Sequence, residues 1–320
     1  MRQLKILLTV TVLLAAGLSG SAQKKQKQEK IVFTPQWVPQ AQFAGYYVAE
    51  QKGFYKQAGI DVEIVHPTVS QSALNRLRNN ETQITTLMLC QAMETIDNGI
   101  PLVNILQTSM NNAMVIISRR GMNPLEQKGA RVGVWMAGFG QIPFCMSQRE
   151  HLDYEWVRFV SNLDLFVVGA VDATLAMSYN EYYQLMQTGF PLKEENIYRF
   201  SDHGYNIQDD GVYMRRDYYM KHKDQARKFA EASRKGWEWA VAHPEETLEI
   251  VMKYVRENHV GTNRVLQKLM LEEVLRMQID RESKKREFRL RPDMVKFASQ
   301  LMKENMMLEH EVTYEQLIAK

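Results

Sequence analysis

Short apolar runs alternate with segments of helical period through the first two-thirds of the chain, and the last third is helical almost to its end. Residues 31–33, 61–65, 84–87, 102–107, 114–118, 131–134, 156–159, 173–177 and 197–201 have the length and apolar content of buried strands. Residues 44–52, 70–79, 91–98, 142–150, 163–168 and 181–188 space their apolar side chains as helices do. Strand and helix taking turns predicts an α/β fold, with mostly parallel sheets carrying helices on both faces. From Asp217 the pattern is helical, with Pro244 and Pro292 in the first turns of two helices, where a missing N–H leaves no bond unmade.

Two polar connectors stand beside apolar strands: 107–113, QTSMNNA, and 205–211, YNIQDDG. Strands feeding polar crossings twice suit two α/β lobes joined by a double-stranded hinge. The competing reading makes both connectors surface loops of one large sheet.

Arg2 and Lys5, an apolar run over 6–18, and the small residues Gly20, Ser21 and Ala22 have the layout of a secretory signal, with cleavage expected after Ala22. The run is too short to span a bilayer, so the mature chain is expected in the periplasm, without membrane insertion. Residues 23–29 continue as a polar leader. Residues 1–22 hold two of the 40 Lys+Arg and none of the 37 Asp+Glu, which leaves 38 − 37 = +1 and no net attraction to nucleic acid or an anionic surface. The basic run over 281–291 reads as a solvated loop, interrupted by Glu282, Glu287 and Phe288. Cys90 and Cys145 are the two cysteines, expected in different lobes as buried free thiols.

The loop after the first strand carries the sharpest signal. Pro35 and Pro39 end that strand and stiffen the chain around Trp37, at the edge of an open sheet where ligands bind. An indole held there suits stacking on a planar ligand, and the polar neighbours Gln36 and Gln40 argue against a core tryptophan. Phe43 and Tyr46 are expected to face the cleft while the other side of their helix faces the core. Met88 ends a strand and borders either cleft or core. Gly138, Phe139 and Gly140 join a strand to a helix, where glycines let backbone N–H groups approach an anion or simply make a tight turn. Asn180 and Glu181 open a helix after strand 173–177; the carboxylate can accept hydrogen bonds from a ligand or complement the helix dipole. His66 stands without a second ligand nearby and is assigned no chemical role.

The sequence contains no G-x-S-x-G elbow, phosphate-loop lysine motif or C-x-x-C, and its seven histidines lack metal spacing. No catalytic residue, cofactor or metal is therefore predicted.

Trp37, AGYYVAEQKGFYKQAGIDVEI over 44–64, NGIPLVNI over 98–105, KGARVGV over 128–134 and VDATLAMSYNE over 171–181 resemble the periplasmic substrate-binding proteins of ABC transporters. The similar group includes thiamine-precursor (hydroxymethylpyrimidine) binders, sulfonate binders and the related thiamine pyrimidine synthase. The resemblance runs over about residues 30–240 and implies a two-lobed fold of the second binding-protein type, with lobe 1 over 30–112 plus 213–320 and lobe 2 over 113–212. It implies a small-molecule ligand between the lobes, an ABC permease as partner, and a glutamate in the position of Glu181 that takes two hydrogen bonds from an aminopyrimidine. In the synthase relatives a glycine loop like 138–140 holds a phosphate. Those relatives carry a run of cysteines where this chain reads SDHGYNIQDDGVYM over 201–214, so binding is expected rather than synthesis. A sulfonate ligand, a synthase variant and a sensor relaying occupancy to a membrane partner are the alternatives.

Overall fold

The computed structural model describes residues 30–68, 70–119, 123–136, 138–159 and 163–318; the signal and leader readings fall outside them. In chain order the strands are β1 (Lys30–Thr34), β2 (Asp61–Ile64), β3 (Ile84–Met88), β4 (Leu102–Gln107) and β5 (Met114–Ser118). They continue as β6 (Arg131–Trp135), β7 (Glu155–Phe159), β8 (Ala173–Met177), β9 (Ile197–Arg199) and β10 (Asp210–Arg215). β3 (ITTLM), β5 (MVIIS) and β8 (ATLAM) are buried at every position, as strands covered on both faces must be.

The strands form two sheets, ordered β2-β1-β3-β10-β4 and β7-β6-β8-β5-β9. β1 lies parallel to β2 and β3, and β6 lies parallel to β7 and β8. One strand in each sheet runs against the rest: β10 between β3 and β4, and β5 between β8 and β9. These are the strands that arrive from the other lobe, so each starts where its neighbours end. Asp210 pairs with Met88, and Met114 pairs with Met177. β10 belongs to the first sheet from Asp210, so the return crossing closes ahead of the 212/213 boundary read from the sequence.

The crossings are tied side by side. Asn112 N donates to Asn206 Oδ1 (2.9 Å), Asn206 Nδ2 donates to Asn111 Oδ1 (3.2 Å), and Ala113 N donates to the buried Asp209 carboxylate (2.6 Å). Cys90 and Cys145 are buried free thiols, and Cys145 Sγ lies 3.5 Å from Met307 Sδ across the lobes.

Helix Ala44–Gln51 crosses helix Lys223–Ala242 at two glycines. A Cβ on Gly236 would lie 2.0 Å from the Gly45 carbonyl oxygen, and one on Gly45 would lie 2.2 Å from the Trp237 ring. Both backbones are thus closer than any side chain allows. Gly236→Ala is expected to lower the unfolding free energy by about 1–3 kcal/mol, the scale of overpacking, read as a fall in urea midpoint. Gly261, exposed with open space around its Cβ position, is the control: Gly261→Ala should move stability by less than about 0.5 kcal/mol.

Candidate functional site

Because β1, β3, β6 and β8 all end at the gap between the lobes, the residues at and just after those ends share one cavity. After β1 come Gln36, Trp37, Gln40 and Gln42; β3 supplies Met88; β6 supplies Trp135, followed by Phe139; β8 supplies Met177, followed by Tyr179, Asn180 and Glu181. Together they surround a narrow crevice that is partly open to solvent. This is the crevice outside the carboxyl ends of the strands where open α/β sheets hold ligands.

Trp37 enters from the first lobe and meets the edge of Phe139 from the second, with ring centroids 5.9 Å apart and planes at 66°. Behind Trp37, its carbonyl oxygen accepts from His66 Nδ1 at 2.7 Å, and His66 Nε2 is 2.9 Å from the Tyr47 hydroxyl. Burial pushes the imidazolium down to about 4, so the ring is neutral at pH 7. A carbonyl can only accept, hence Nδ1 carries the proton and Nε2 accepts from Tyr47. His66, given no role on sequence grounds, is the post that holds the Trp37 loop. It reaches that loop because β1 and β2 are parallel neighbours in the register Phe33↔Ile64.

Glu181 faces the same cavity from the second lobe and is 4% exposed. Its Oε1 accepts from Trp135 Nε1 (3.3 Å) and Asn180 Nδ2 (3.1 Å), and its Oε2 accepts from Met177 N (2.9 Å). Burial raises its proton affinity above the ordinary carboxyl range, and these donors oppose that rise. A carboxylate has about four lone-pair directions, and these three donors and the residue's own backbone N–H already draw on them. A ligand taking two hydrogen bonds from this carboxylate, as expected, has to share it with those donors. Asn180 is itself held by Gln184 Nε2, at 2.8 Å.

Behind Gln36 and Gln42, the half-buried Asp210 carboxylate accepts from Gln36 Nε2 on one oxygen and Gln42 Nε2 on the other, each at 2.7 Å. Burial pushes its pKa up to about 6, against those two hydrogen bonds. The described lining includes no lysine, arginine or histidine. Nor does any group of three or more His, Cys, Asp or Glu among the described residues stand where it could hold a metal ion.

Of the residues singled out from the sequence, Trp37, Met88, Phe139, Asn180 and Glu181 line this cavity. Phe43 and Tyr46 do not. Tyr46 packs against Phe33, Phe229 and Trp237, because the long helix Lys223–Ala242 covers the face that was expected to look into the cleft, and Phe43 packs against His66. Gly138 and Gly140 also stay out of the lining. Gln141, the first residue of the following helix, folds its Nε2 onto Gly138 O and onto Glu94 Oε2 of the first lobe, both at 2.8 Å, which puts a carboxylate beside the loop and favours the tight-turn reading over the anion one. Gln36, Gln40, Gln42, Trp135, Met177 and Tyr179 were missed as site residues. Trp135 and Met177 are the last residues of β6 and β8, so the strand-end rule that found Trp37 also reaches them.

Residues 40–247 match the family described as NMT1/THI5 like. The formylaminopyrimidine-binding protein of Halalkalibacterium halodurans is 24% identical over 269 residues, 79% of each chain. A 4-amino-5-hydroxymethyl-2-methylpyrimidine phosphate synthase of Saccharomyces cerevisiae, THI13, is 20% identical over 233 residues, 68% of each chain. Among solved structures, the periplasmic aliphatic sulphonate binding protein SsuA from Escherichia coli superposes with a TM-score of 0.66 at 13% identity, covering 91% of this chain and 92% of that one. That likeness establishes the two-lobed periplasmic-binding-protein fold. With the matched segment spanning well over half of its length, the chain belongs to the NMT1/THI5-like family.

Proposed function

We propose that this protein is an exported binding protein that captures an aminopyrimidine of the thiamine-precursor type between its lobes and delivers it to an ABC-transporter permease. The observation that carries the reading is the cavity wall. Trp37 comes from one lobe, Glu181 from the other, Asp210 stands behind Gln36 and Gln42, and no cationic side chain lines the space among the described residues. Such a wall favours a flat ligand rich in hydrogen-bond donors. Trp37 offers a face to the ring, and Glu181 Oε2 accepts from its amino edge.

A sulfonate fits this wall poorly, since the buried Glu181 carboxylate faces it, the half-buried Asp210 stands behind Gln36 and Gln42, and Glu94 guards the helix start beside Gly138. Binding rather than synthesis is supported by the cysteine-free stretch 201–214 and by the formylaminopyrimidine-binding relative. The charged, apolar and small-residue layout of residues 1–22 supports export, and no helix among the described residues is long and apolar enough to cross a membrane.

Ligand contacts made by both lobes exist only when the lobes are together, so the ligand draws the population toward closure. In a thermal-shift screen at a hundredfold excess over Kd, a 4-aminopyrimidine should add about 2.7 kcal/mol and raise Tm, while ethanesulfonate should leave it unmoved. A sulfonate that raises Tm, more so in Glu181→Gln, would reverse the assignment. By calorimetry, Glu181→Gln should weaken aminopyrimidine binding by about tenfold to a hundredfold, the roughly 1.5–3 kcal/mol of a charge-assisted hydrogen bond. Trp37→Ala should cost at least about tenfold through lost area and stacking.

A further inference from the structure

The carboxylate of Asp210 controls which way two amides point. A carboxylate only accepts, so Gln36 and Gln42 must both turn their NH₂ groups toward it, at 2.7 Å each. Gln42 is held in that sense from its other end as well, its Oε1 accepting from Gln40 Nε2 at 2.6 Å. Gln36 has no such second partner. Its Oε1 is turned away from Asp210, is buried, and has no hydrogen-bond partner in the protein, although the residue is only 8% exposed and lines the cavity. An unsatisfied buried acceptor costs free energy that a donor on a ligand recovers. Amide orientation is free to reverse in glutamine as such; here Asp210 removes that freedom.

We infer that Asp210 is a specificity-determining residue: by orienting Gln36 it makes the first-lobe wall an acceptor, so the cognate ligand carries a second N–H or O–H donor besides the one that meets Glu181. The inference rests on the aminopyrimidine reading and narrows it. With the amino edge at Glu181 in the second lobe, the groups left to face Gln36 are the substituents on the remaining ring carbons. A hydroxymethyl or aminomethyl group there satisfies Gln36 Oε1, and a methyl group leaves it bare. The same polarity disfavours a ligand that presents a carboxylate, sulfonate or carbonyl oxygen to this wall.

The test is calorimetric titration of 4-aminopyrimidines carrying hydroxymethyl, aminomethyl or methyl at ring position 2 or 5, into the mature wild-type protein and the variants Asp210→Asn and Gln36→Met. Folding of each variant is verified by its melting transition. Wild type should prefer the donor-bearing compounds by about tenfold over their methyl counterparts, the effect of one satisfied buried acceptor. Asn at position 210 can accept from one amide and donate to the other, which lets Gln36 reverse, so the preference should shrink to about threefold or less. Gln36→Met should abolish the preference between donor-bearing and methyl compounds, whatever it does to the affinity for both. If Asp210→Asn does not fold, Gln36→Met decides alone. Wild type binding all the compounds within twofold, or Gln36→Met keeping the full preference, overturns the inference and leaves aminopyrimidine binding standing. Wild type binding none of them overturns that broader reading and the inference with it.

Discussion

The cleft depends on one constraint, the antiparallel insertion of β10 between β3 and β4. A strand arriving from the other lobe has to begin where its parallel neighbours finish. Asp210, its first residue, therefore stands beside Met88, the last residue of β3. The same rule in the second sheet sets Met114 beside Met177. Strand ends from both lobes then converge on one gap, and side chains distant in sequence become neighbours without any long loop being needed.

What converges is chemically one-sided. Glu181 is buried and Asp210 half-buried, and taking an ionised carboxyl out of water is costly unless donors surround it. Trp135, Asn180 and the Met177 amide serve Glu181, while Gln36 and Gln42 serve Asp210. Protein donors thus point at the carboxylates and protein acceptors are left for the cavity. Proteins named for pyrimidine and for sulphonate ligands share this backbone architecture, so local polarity rather than fold has to tell such ligands apart.

Much of this was legible in the sequence where the signal is local. The apolar runs gave β4, β5 and β8 their limits, and the prolines flanking Trp37 marked a loop at a strand end. Glu181 was found by the same logic, as the start of a helix after a strand. The misses have a nonlocal cause. Which side of helix Ala44–Gln51 faces the core is decided by Trp237 and Phe229, far along the chain, so Phe43 and Tyr46 were placed on the wrong side. His66 acts on Trp37 through a parallel register that no sequence spacing reveals, and Asp210 reads as part of a polar connector until β10 is seen to insert. The glycines at 138 and 140 suggested an anion site, and only the fold brings Glu94 against it.

A crystal structure of the protein with 4-amino-5-hydroxymethyl-2-methylpyrimidine tests the central claim most directly. The account predicts the pyrimidine stacked on the Trp37 indole, its amino group within about 3 Å of Glu181 Oε2, and both lobes touching it. A ring bound outside the space between Trp37 and Glu181, or contacted by one lobe alone, would contradict it.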